Sequence, residues 1–218
     1  MILYYNPDVT ITNIKIIGYK CATYPNDFKY QMSTDTVTPP IDIIEPAEFY
    51  STDVKEFATT AFIVCVFKNL TERKNLIDYI KLHNLNKCSF IHKSSCINLE
   101  TITVGPGTFI MQYCVIAHEA AIGEDCLITP YTLISHRVKL GNSVNVCPNS
   151  LINGSVTVGD YTYIGSRSTL RDNVNIAANT YVGMMSSVSK DIDVIGTYVG
   201  SPCRKINDQT VFDHFNFV

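Results

Sequence analysis

No run of apolar residues in this sequence approaches the roughly 18 needed to cross a bilayer, so membrane insertion is not expected. An excess of basic charge is also missing: 17 Lys and Arg against 20 Asp and Glu give a formal net charge of -3. Nucleic acid and anionic membranes demand a basic face, so neither is expected as a partner. The eight cysteines contain no Cys-x-x-Cys pair, and the first residues, "MILYYNPDVT", carry no basic stretch leading into a long apolar one. A reduced, cytoplasmic protein is the expectation. Glycine is scarce in one part only, with Gly18 alone in the first 104 residues and ten more beyond them. The two parts therefore obey different backbone rules.

What the second part has is a repeat. Stepping by six from Val104 reaches Ile110, Ile116, Ile122, Ile128, Ile134, Leu140 and so on to Val188, and every one of these fifteen positions is a branched aliphatic. Four places after each sits a small or β-branched residue, from Thr108 and Cys114 to Ser186 and Ile192. Two inward positions per six residues fit neither a strand of period two nor a helix of period 3.6. They fit a coil of parallel β-strands whose interior is filled by stacked ladders, three hexads per triangular turn and five turns in all. Cys114 and Cys126 fall on inward positions and read as packing. Glycines 105, 123, 141, 159, 165 and 183 directly follow a register aliphatic, where the corner is expected to turn.

The first part reads as a small α/β layer, with apolar runs at 9–17 and 61–67, a helix over about 70–83 and the turn-rich "STDTVTPP" between. Asn69 or Thr71 is placed to cap that helix, and Leu76, Ile77 and Ile80 to face the sheet. Asn26, Asp27 and Arg73 are candidate acceptor contacts.

Within the repeat, His136 lies two places beyond Ile134, so its side chain leaves the coil at a corner. His118 is 18 residues earlier, is expected to stack one turn below on the same edge, and is a further candidate acceptor contact. The same arithmetic puts Glu119 beneath Arg137, where it either pairs with that arginine or supplies a carboxylate to orient His136. Residues 104–206 hold only these two histidines, too few for a zinc set, so no metal is expected.

The hexads resemble those of the hexapeptide acyltransferases. "IVCVFKNLTERKNLIDYIKLHNLNKCSFIHKSSCI" further resembles the strand, helix and junction of bacterial sugar acetyltransferases related to sialic acid O-acetyltransferase and UDP-4-amino-sugar N-acetyltransferases. The resemblance spans roughly residues 61–206. "TLISHRVKLG" resembles the family segment that carries the catalytic base, and "VGSPCRK" resembles the end of the family's coil.

The resemblance implies a left-handed β-helix, an exception to the usual right-handed crossover, over residues 96–206. A reduced Rossmann-like α/β acceptor-binding domain over residues 1–95 precedes it, and a tail, residues 207–218, follows and is expected to pack on a neighbour. It also implies acetyl-CoA as donor, a homotrimer with a shared site, His136 as general base and amides near Gly154 as oxyanion donors. Cofactor contacts are implied for Asn145, Gly154, Gly165, Ser166, Gly183, Met184, Arg204 and Lys205. The acceptor is a sugar or nucleotide sugar, attacked through an amine or a hydroxyl. Three departures stand out: Arg137 replaces the acid that usually follows the base, Asn145 stands where a histidine is common nine residues after it, and residues 1–17 hold no glycine where the family's phosphate loop would lie. These departures leave a non-catalytic trimeric scaffold and a sialic-acid-type O-acetyltransferase as alternatives.

Overall fold

The computed structural model describes residues 2–4, 9–18, 41–66 and 69–215. They fall into two compact units, one made of those between residues 3 and 88 with residue 215, the other of residues 89–214 with residue 2.

In the first unit, strands β2 (Asn13–Ile17), β3 (Ile41–Ile44), β4 (Thr60–Val64) and β5 (Asn86–Ile91) form a parallel sheet in the order β3-β2-β4-β5, and a short β1 (Ile2–Tyr4) also pairs with β5. All five residues of β4 are buried, as expected of a central parallel strand. Helix α1 (Pro46–Ser51) follows β3, and α2 (Leu70–Leu82) joins β4 to β5. Asn69 caps α2, its side-chain oxygen accepting from the Glu72 N–H at 2.9 Å. Leu76, Ile77 and Ile80 of α2 pack with Phe49, Phe57 and Phe62 in one core. The helix, its cap and its buried face are those expected from the sequence. β3 and α1 are additions to that expectation, because four residues of strand and six of helix are too short to establish a period. Asn26, Asp27 and "STDTVTPP" lie outside the described residues.

The second unit is a β-solenoid of about six turns. Its two-residue strands stack in register at a spacing of 18: Val115 pairs with Leu133 and Leu133 with Leu151. Three faces result. Face one carries Leu127–Ile128 and Asn145–Val146, face two Leu133–Ile134 and Leu151–Ile152, and face three Ala121–Ile122 and Lys139–Leu140. Register aliphatics from Ile110 to Val188 are all buried, as are the small residues four places on. Several inward hydroxyls are satisfied by the backbone of the next turn, Thr108 donating to the Gly123 carbonyl at 2.8 Å and Ser150 to that of Gly165 at 3.0 Å, while the buried Thr180 hydroxyl has no partner among the described residues.

Three features depart from the expected coil. It starts a turn early, because Phe90 and Ile91 pair with Phe109 and Ile110, and Cys96 with Val115, at a spacing of 19 that a strict hexad count cannot follow. At the far end the spacing falls to 16, with Tyr181 opposite Thr197, before strand Arg204–Asn207 turns back antiparallel. The corners also turn differently. The left-handed backbone falls on every sixth residue from Tyr113 to Met185, none of them glycine, while Gly107 takes a positive φ one step before this series. Glycines 105, 123, 141 and 159 instead face the next turn edge-on, where an added Cβ would run into backbone or, at Gly141, into Asp160. They permit close stacking and not a sharp turn.

The tail folds on its own coil. Helix α3 (Val211–His214) buries Val211, His214 stacks on Tyr181 at 3.9 Å and its Nε2 lies 2.6 Å from the Thr197 hydroxyl. No helix among the described residues is long and apolar enough to cross a membrane.

Candidate active site

The edge between faces two and three carries the outward histidines. Ile134 and Val138, both 0% exposed, pin the corner from inside and force Ser135, His136 and Arg137 outward. The corner is tied to its neighbours through the backbone: the Arg137 N–H donates to the His118 carbonyl at 3.1 Å and the Ser155 N–H to the His136 carbonyl at 2.9 Å. His118 and His136 stack, ring centroids 5.6 Å apart and planes inclined by 19°. One turn above lies Gly154, and a Cβ there would overlap the His136 imidazole. Gly154 is thus the roof of the histidine pocket. Its missing side chain makes room for the ring.

Nδ1 of His136 is buried without a hydrogen-bond partner, while Nε2 is not enclosed in this way. The orienting contact expected from Glu119 is therefore not formed. Its pairing with Arg137 is not formed either, since Arg137 reaches upward and donates from Nε to the Ser155 hydroxyl at 3.3 Å. Both residues sit at equivalent left-handed corner positions, φ 60° and 56°, so it is the course of the Arg137 side chain toward Ser155, and not the backbone, that leaves the pair unmade.

Amides near Gly154 are also committed. The Gly154 N–H donates to Asp172 Oδ1 at 2.9 Å, the Asn153 N–H to the Leu170 carbonyl at 3.2 Å and the Ser155 N–H to His136. Within one chain none of them is left to meet an oxyanion. Asp172 and, 18 residues further, Lys190 continue the column of His118, His136 and Gly154. The spacing that linked the histidines could have found both.

Other candidate residues lie elsewhere on the coil. Gly165, Ser166, Gly183 and Met184 share the edge between faces one and two. Gly165 would meet the Met184 backbone if it had a Cβ, and Gly183 the Val199 side chain at 2.7 Å, so the coil itself explains both glycines. Met184 and Met185 project there, 70% and 65% exposed. Asn145 opens its strand on face one, 7% exposed, with its Oδ1 buried and unpaired. Beside it burial pushes the Cys147 thiol and the Tyr163 hydroxyl up from their ordinary values.

Arg204 and Lys205 line a cavity of about 190 Å³ at the end of the coil, together with Lys190, Asp191, Tyr198 and Cys203. Lys205 is held by Asp208 at 2.6 Å. Arg73 belongs to the other unit, where it is 2% exposed in the first turn of α2 and not solvated. Among the described residues no three His, Cys, Asp or Glu side chains gather as a metal set.

Comparisons with known proteins bear on the repeat and the fold. The family model for the bacterial transferase hexapeptide (six repeats) matches residues 101–136, which end on His136. No curated protein matches the sequence. Among solved structures, the acetyltransferase domain of PglB from Neisseria gonorrhoeae, in complex with acetyl coenzyme A, superposes with a TM-score of 0.76 at 15% identity, over 90% of this chain and 100% of that one. A mutant GDP-perosamine N-acetyl transferase from Caulobacter crescentus, in complex with CoA and GDP-perosamine, gives 0.78 at 19% identity, over 92% and 100%. AntD, an N-acyltransferase from Bacillus cereus, gives 0.52 at 23% identity, over 55% and 79%. The chain thus carries the bacterial transferase hexapeptide repeat and has the fold of sugar N-acetyltransferases of known structure.

Proposed function

We propose that this protein is an acetyl-CoA-dependent N-acetyltransferase acting on an amino sugar carried by a nucleotide, in the cytoplasm, with His136 as general base. The observation that carries the proposal is the His136 imidazole, held at a solenoid corner with a glycine above it and one nitrogen left open. Relatives of the same fold are captured with CoA and, in one case, GDP-perosamine, which supports the donor and the acceptor class. A left-handed coil and a reduced Rossmann-like first unit belong to the same reading.

Two of the five buried side-chain atoms without a hydrogen-bond partner among the described residues, His136 Nδ1 and Asn145 Oδ1, belong to this reading. Asn145 would accept a hydrogen bond from an amide of the pantetheine arm, and the Lys190, Arg204 and Lys205 cations would meet phosphates. When bound, acetyl-CoA supplies a thioester whose carbonyl carbon is the electrophile. His136 takes the proton of the attacking amine at Nε2 and hands it on to the departing thiolate. A neutral imidazole does this near pH 7.

Within one chain, His136 and the Met184 edge are separated by face two, and Asn145 lies on face one. Val115 and Leu133 project from face two, 41% and 38% exposed. A homotrimer that brings the histidine edge of one copy against the methionine edge of the next would unite these groups.

The test is calorimetry with coenzyme A followed by thiol-release assays on amino sugars with and without nucleotides. Micromolar binding and turnover on a nucleotide-linked amine are expected. No heat at millimolar coenzyme A would leave a non-catalytic scaffold, and turnover on hydroxyl acceptors alone would make it an O-acetyltransferase.

A further inference from the structure

We propose that His118 is the positioning residue of the base, holding the His136 ring in plane by stacking in place of a carboxylate clamp. The inference rests on the reading of His136 as the base. Three observations carry it. Nδ1 of His136 has no hydrogen-bond partner, so nothing polar in this chain fixes the rotation of the ring. The two charged side chains nearest in sequence and stacking are disengaged, Arg137 being turned to Ser155 and Glu119 making no bond to either residue. The ring is nonetheless sandwiched, with the backbone of Gly154 against its upper face and the imidazole of His118 nearly parallel beneath it.

An imidazole free to rotate about its Cβ–Cγ bond presents Nε2 in the productive direction for part of the time only. A general base loses rate when its direction is lost, even if its proton affinity is unchanged. Gly154 restricts the ring from one side. Without a second wall the ring could swing down and away from the roof. His118 is that wall, set by the 18-residue spacing of the coil, and its outward position gives it no other packing duty. The role asks for a flat ring at position 118 and makes no use of its proton.

The experiment compares His118→Ala with His118→Phe in the full-length protein. His118→Ala should lower kcat about tenfold and leave the KM for acetyl-CoA unchanged, because the loss is one of direction and not of binding. His118→Phe should recover most of that loss. If Phe is as poor as Ala, the imidazole acts through its proton and the stacking role is wrong. Turnover of His118→Ala equal to wild type would also overturn it.

Proton NMR of the His136 ring supplies a readout independent of turnover. Its Cε1–H resonance, assigned by its absence in His136→Ala, should sit upfield from the ring current of His118 and move downfield in His118→Ala but not in His118→Phe. An unmoved resonance would mean that the rings do not stack. Stacking confirmed in a protein without transferase activity would instead count against the proposed function.

Discussion

Two edges of one coil use the same residue for different ends. Between faces three and one, Gly105, Gly123, Gly141 and Gly159 form a column in which each missing side chain is replaced by the turn above. Between faces two and three, Gly154 has no side chain because the space belongs to the ring of His136 one turn below. The first edge is closed and serves the fold. The second is opened at a single turn, so a candidate site on a solenoid shows itself as a break in a column more clearly than as a motif in a line.

That contrast can be broken by substitution. His136→Ala should lower turnover about a hundredfold or more, the usual contribution of a general base, with the melting temperature nearly unchanged. Turnover close to wild type would remove the open edge from the chemistry. Gly154→Ala should come next, lowering turnover at least tenfold by pushing the imidazole out of place while costing little stability, as judged by kcat and thermal unfolding together. Gly123→Ala should do the reverse, losing about 1–3 kcal/mol through overpacking and retaining turnover per folded molecule. If both glycine variants lose stability and activity in step, the two edges are not distinct. Glu119→Gln should change kcat by less than about twofold, since the carboxylate reaches neither His136 nor Arg137. A larger loss would bring Glu119 back as the orienting group in the assembled protein.

The smallest effect concerns thiols. Burial pushes Cys114 up to about 11, so its thiolate is negligible at pH 8 and reaction with iodoacetamide should be far slower there than at Cys96, which is exposed. The sign is that of a raised pKa: reactivity at Cys114 appears only as pH approaches the raised value. Mass spectrometry of labelled peptides reads both rates.

How far the sequence could be read follows from what sets each feature. The coil is written at every sixth residue because each turn must bury its own aliphatic, and the column of His118 and His136 follows by addition. Addition fails where the turn length changes, at 19 residues for Cys96 and 16 for Tyr181. It fails again where side-chain direction decides: Arg137 and Glu119 are one turn apart on like backbones, yet the Arg137 side chain turns up to Ser155 and not down to Glu119. Gly154 was legible as important, but its reason was not, because the ring that occupies its space belongs to a residue 18 positions earlier. The aromatic tail gave no period at all, and its seat on Tyr181 depends on contacts distant in sequence.

The left-handed corners carry one more consequence. Each non-glycine residue in that conformation costs on the order of 1 kcal/mol relative to ordinary backbone, and from Tyr113 to Met185 there is one at every corner. A single turn cut free would keep this cost and lose the amide bonds to the turns above and below, such as Arg137 to His118 and Ser155 to His136. Opening should therefore start at the ends, where one neighbour is already missing, and the middle turns should open together or not at all. Amide hydrogens around His136 would then exchange only when the whole unit opens, so the edge that carries His136 would lie in the slowest-exchanging part of the molecule.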